Sequence, residues 1–203
     1  MSELFSIQLQ NRQQQGRDGV WLDLPTTTEQ VQAALRQIGI SSDNPQGLFI
    51  SGYFAEEEKR FAIPYNIVLA SNVDELNFLA SRLETLSTGE RAELNAALQA
   101  PQSELFSIGR ITDFPENVDY YVHLPDVRGP AQLGDYYLNR SGMVDMPEEW
   151  KGGIDTAQFG RYVAQQEQGV FTEYGYLVKS GDAWQKVHEG QPVPEEYRVL
   201  SFP

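Results

Sequence analysis

The chain has 203 residues, 29 of them acidic and 15 basic, for a formal net charge of −14. Hydrophobic residues at 40% are enough for a core and exclude global disorder, and the lack of cysteine excludes disulfides and thiolate metal sites. No run approaches the roughly 18 apolar residues of a membrane span, and the opening MSELFSIQLQ has neither the basic nor the apolar region of a signal peptide, so a cytoplasmic protein is expected.

The charge is spread along the chain. Residues 1–103 hold 13 acids and 7 bases, and residues 104–203 hold 16 acids and 8 bases. No acidic tail accounts for the excess. The plain reading is a surface charge that keeps the protein dispersed. The functional reading is a charged face used in recognition. In either case the charge repels nucleic acid, so direct DNA binding is not expected.

The first segment reads strand, strand, helix, strand. Phe5, Ile7 and Leu9 alternate with polar residues, as do Val20, Leu22 and Leu24, with Trp21 on the opposite face. The polar stretch from Asn11 to Gly19 joins them, and Pro25 ends the second strand. Thr26 with Glu29 predicts a capping box for a helix carrying Val31, Ala34, Leu35 and Ile38 on one stripe and ending at Gly39. Asp43-Asn44-Pro45 is a turn, and Leu48 to Phe54 is a third strand.

The second segment is helical. Ser71 with Asp74 predicts another capping box, and Leu76, Leu79, Leu83 and Leu86 recur at helical spacing. Thr88 is the expected cap of a further helix carrying Leu94, Ala97 and Leu98. Asn77 lies on a helix without evident chemistry and reads as structural. Pro101-Gln102-Ser103 is a boundary candidate. Beyond it, Glu104 to Ile108 repeats Glu3 to Ile7 letter for letter, which predicts a similar opening strand.

In the last segment Tyr120 to Leu124 reads as a strand and Asp126 to Gly129 as a turn. Pro130, suited to a first helical turn, opens a helix through Tyr136, Tyr137 and Leu138 that Gly142 breaks. Thr156 is the expected N-cap of the next helix, with Phe159, Tyr162 and Val163 on one face, and Val170 to Val178 reads as one strand. Glu195-Glu196-Tyr197 fits a short helical turn, and Val199 to Phe202 a closing strand. The expected class is α+β, an elongated chain of three small domains: 1–65, 66–102 and 103–203.

The catalytic inventory is thin. His123 and His188 are the only histidines, and neither stands in an HExxH or HxH pattern. GxSxG, Walker and GxGxxG motifs are absent. No cofactor, metal or catalytic residue is expected. A hydrolase working with paired carboxylates stays open on the sequence alone, because such pairs are common in so acidic a chain.

The order Tyr136-Tyr137, Gly142, Met146-Pro147, Ile154-Asp155 and Phe159-Gly160-Arg161 resembles the antirestriction motif region of the ArdA family, small acidic proteins of conjugative plasmids and transposons. Gly19-Val20-Trp21, the proline after it and Ile38-Gly39 are similar to that family's N-terminal domain, and Glu75 to Ala80 to its helical middle. The resemblance implies a bacterial DNA mimic whose carboxylates stand in for phosphates and occupy the DNA groove of type I restriction–modification enzymes, at the methyltransferase and specificity core. It also implies a homodimer. The candidate mimic carboxylates are Asp113, Glu116, Asp119, Asp126, Asp135, Asp145, Glu148, Glu149, Asp155, Glu167 and Glu173, with Glu56, Glu57 and Glu58 as weaker ones. Tyr137 and Phe159 are candidate dimer contacts, and a dimer would carry −28, twice −14.

Three departures stand out. Where the family has two acids after its tyrosine pair, Asn139 and Arg140 stand here, and Arg140 is expected to pair with Glu148 or Glu149. Where it favours Asp after Gly160-Arg161, Tyr162 stands. Its acidic-aromatic-acidic cluster after the third strand's Ile50 is replaced by Ser51-Gly52-Tyr53-Phe54. The alternative implied by these departures is a mobile-element protein of the same fold with another basic partner.

Overall fold

The computed structural model describes residues 4–14, 18–56, 61–101 and 103–203. Glu57 and Glu58 lie outside the described residues. The protein is α+β, and its contacts group it into two compact units, each assembled from segments distant in sequence.

The larger unit takes residues 1–87, 105–116 and 186–203. Its sheet is antiparallel, with strands β1 (Phe5–Asn11), β2 (Val20–Leu24) and β3 (Leu48–Phe54) in the order β2-β1-β3. Alternation puts Phe5, Ile7 and Leu9 of β1 in the core. Helix α1 (Thr28–Gln37) buries Val31, Ala34 and Leu35. Its capping box lies one residue later than the sequence predicts: Thr27 Oγ1 accepts the Gln30 N–H, and Gln30 Oε1 accepts the Thr27 N–H. The Thr26 N–H is taken instead by Asn77 Oδ1 at 2.7 Å, and Asn77 Nδ2 donates to the Tyr197 carbonyl. Asn77 is therefore a structural tie. Asn11 does similar work, donating to the Ile38 carbonyl where α1 ends.

Two helices absent from the sequence reading belong to this unit, α2 (Tyr65–Ala70) and the short α5 (Ile108–Thr112). Between them α3 (Val73–Glu84) packs its leucine stripe inward. Asn72, not Ser71, caps α3, because the Ser71 hydroxyl donates to Ile67 in the last turn of α2. The repeated Glu-Leu-Phe-Ser-Ile does not form a second strand. Ser107 Oγ accepts the Arg110 N–H and starts α5, with Leu105 buried and Phe106 in solvent. Residues 199–202 are not a strand either, since Asp74 Oδ1 accepts the Val199 and Leu200 N–H groups at 2.7 Å each. The turn at Glu195–Tyr197 forms as expected.

The smaller unit takes residues 88–104 and 117–185. Helix α4 (Thr88–Gln99) precedes strand β4 (Tyr121–Leu124) and helix α6 (Pro130–Asn139). A single turn α7 (Glu148–Lys151) and helix α8 (Thr156–Glu167) follow. The segment expected as one strand is a hairpin of β5 (Val170–Thr172) and β6 (Gly175–Lys179), in a sheet ordered β4-β6-β5. Thr172 Oγ1 accepts the Tyr174 N–H across the turn, and Gly175 adopts φ +133°, which a side chain disfavours. Val127, Leu133, Ala164 and Tyr176 form the core.

Candidate partner-binding site

The residues of the tyrosine and glycine motifs come together as the α6–α8 pair. A Cβ on Gly134 would lie 2.0 Å from the Thr156 carbonyl oxygen, and one on Gly160 would lie 1.8 Å from that of Pro130. The two backbones thus touch, and the glycines are there for that approach. Asp155, not Thr156, caps α8: its side chain accepts the Gln158 N–H at 2.9 Å. Gln168 ends the helix in the left-handed conformation.

Glu167 is the last residue of α8. Its carboxylate accepts the Tyr137 hydroxyl through one oxygen and the Tyr176 hydroxyl, at 2.9 Å, through the other. Burial first, and the carboxylate second, hold both phenols well above the usual tyrosine range. Both oxygens are committed inside the unit, which makes Glu167 a poor phosphate stand-in. Tyr137 is half-buried with its ring edge-on to Tyr136, and Phe159 is half-buried too.

The other candidate carboxylates separate by environment. Asp113 is 0% exposed, and its oxygens accept the backbone N–H groups of Val187, His188 and Glu189 at 2.6 to 3.3 Å. A buried carboxylate with three donors cannot face a partner, so Asp113 leaves the mimic set. Glu116, in the same unit, is ion-paired with Arg82. In the smaller unit Asp119, Asp126, Asp145, Glu148, Glu149, Asp155 and Glu173 are exposed. Glu148 pairs with Lys151 at 2.6 Å. Glu173, in the β5–β6 turn, accepts the Gln99 side-chain amide.

Asp135 shows what the departure at 139–140 does. Asn139 Nδ2 and Arg140 Nη2 both donate to its carboxylate at 2.9 Å. The Asn139 hydrogen bond first, then the Arg140 charge, holds the Asp135 carboxyl below the usual range. Arg140 therefore pairs with Asp135, where Glu148 or Glu149 was expected. It cancels charge beside the tyrosine pair.

Glu93 on α4 had no sequence signal beyond its place on a helix. One of its oxygens is buried without a hydrogen-bond partner. Burial, with Glu90 and Asp119 adding repulsion, pushes its carboxyl up to about 8, so it is largely protonated at neutral pH.

The histidines do structural work. His123 Nε2 donates to the Tyr174 carbonyl at 2.9 Å, and burial pushes its imidazole down. The His188 ring stands edge-on to Phe78. Among the described residues no three His, Asp or Glu side chains are grouped as metal ligands, and no helix is long and apolar enough to cross a membrane.

Fold and surface define a small acidic α+β protein whose carboxylates cluster on helix ends and turns. A family model for the ArdA antirestriction protein matches residues 15–178. The chain belongs to the ArdA antirestriction family. No individual curated protein matches it.

Proposed function

We propose that the protein blocks type I restriction–modification enzymes as a DNA mimic, its exposed carboxylates occupying the groove that holds duplex DNA. The observation that carries this is the set of exposed acids on the smaller unit, in a chain of this family with a charge of −14. DNA presents about one negative charge per 1.7 Å of axis, and phosphate contacts supply much of the groove's sequence-independent affinity. Carboxylates on turns and helix ends compete for those contacts while offering no base edges. Inhibition should therefore extend to enzymes of different sequence specificity.

In this reading Asp119, Asp126, Asp135, Asp145, Glu148, Glu149, Asp155 and Glu173 supply the mimic charge of the smaller unit, and Glu116 and Glu56 are the candidates in the larger one. The protein acts without chemistry of its own, in the bacterial cytoplasm, and a homodimer through Tyr137 and Phe159 doubles the charge. The test is displacement of labelled duplex from a type I methyltransferase core, with Arg140→Glu expected to displace at lower protein concentration.

A further inference from the structure

The larger unit carries a surface of another kind. On the outer face of its sheet the register puts Trp21, Gln8 and Gly52 in one cross-strand row and Asp23, Ser6 and Phe54 in the next. Gly52 makes room for the indole: a Cβ there would come within 3.0 Å of the ring. Trp21 and Phe54 meet edge to face at 6.4 Å, yet are 50% and 57% exposed. Two large rings held together half in water form a patch suited to recognition.

Beside Phe54 is a notch of about 200 Å³ lined by Leu4, Phe5, Ser6, Asp23, Ala55 and Glu56. Among the described residues its charged lining is Asp23 and Glu56, both carboxylates. Ser6 Oγ donates to Asp23 Oδ1 at 2.5 Å and orients that carboxylate in the notch it lines with Phe54. Aromatic faces next to an oriented carboxylate match a planar guanidinium, which stacks on a ring while its N–H fork reaches the oxygens. An ammonium has the charge without the plane or the fork.

We propose that this face receives an arginine side chain of a basic protein partner. The proposal rests on the mimic reading and deepens it.

The test uses the full chain titrated with hexa-arginine and hexa-lysine peptides, read at the Trp21 indole N–H resonance and by calorimetry. Hexa-arginine should shift that resonance saturably. Trp21→Thr, which keeps a strand-forming residue, and Asp23→Asn should each weaken hexa-arginine binding by about tenfold, with hexa-lysine already that weak. Phe54→Thr replaces Trp21→Thr if circular dichroism shows that the latter unfolds. Equal binding of the two peptides, or an unmoved Trp21 resonance, overturns the proposal. Failure of the unaltered protein to displace DNA would count against the mimic reading only, because the peptides read the notch without a restriction enzyme.

Discussion

Sixteen acids against nine bases in the larger unit, and thirteen against six in the smaller, give each a net charge of −7. The two units use that charge differently. In the larger, Asp74 and Asp113 turn their oxygens on backbone N–H groups and hold the last residues of the chain in place. In the smaller, most acids sit on turns and helix ends, where solvent reaches them. A count of carboxylates therefore does not measure a phosphate-like surface. What separates the two uses is whether the fold supplies donors of its own.

The largest expected effect is at the glycine contact that presents the smaller unit's acids. Gly160→Ala forces a methyl into the Pro130 carbonyl and should cost about 4 kcal/mol or prevent folding. Thermal unfolding measures it, and a change below about 1 kcal/mol would mean that the two helices do not meet as described.

Next comes Asp113→Ala. It strands three backbone donors and should lower stability by about 2 to 4 kcal/mol, while the molecules that remain folded displace DNA as well as the unaltered chain. By contrast, Asp145→Asn with Glu149→Gln should change stability by about 0.5 kcal/mol or less and weaken partner binding severalfold. If the buried acid and the exposed pair exchanged these signatures, the distinction between the units would be lost.

Glu93 gives a pH signature. Its folded carboxyl is raised from 4.5 to about 8, so the folded state holds a proton that the unfolded chain has released. This contribution to stability is fully present below about pH 4.5 and is lost as pH rises toward 8. Glu93→Gln should match the unaltered protein at pH 4 and exceed it at pH 8.5, by about 1 to 3 kcal/mol after allowing for partial exposure. Denaturant unfolding at the two pH values checks the sign.

Much of this architecture is legible in the sequence, because periodicity together with turn, cap and breaker residues marks β1 to β3, α1, α3, α4, α6 and α8. Caps are off by one residue at α1, α3 and α8, since the choice between neighbouring Thr, Ser, Asn and Asp depends on which side chain is claimed elsewhere. Ser71, whose hydroxyl donates to the Ile67 carbonyl, is the clearest case. The repeated five letters mislead because Ser107 has a helix to cap. The single strand expected at 170–178 is divided by Gly175, whose φ of +133° places the turn. The candidate site is legible as composition but not as surface. Asp113 and Asp126 look alike in the sequence, and only the fold puts one beneath three N–H groups and leaves the other in solvent. The Trp21–Phe54 pair is half legible, since Gly52 inside a strand signals a close approach without naming what approaches.

On the proposed function, exposed carboxylates compete with phosphates for a basic groove. The most direct measurement is displacement of labelled duplex DNA from a type I methyltransferase core at low and at raised salt, comparing the unaltered protein with Arg140→Glu. Displacement should weaken as salt rises and be stronger for Arg140→Glu. No displacement at micromolar protein across several such enzymes, or displacement indifferent to both salt and Arg140, would contradict it.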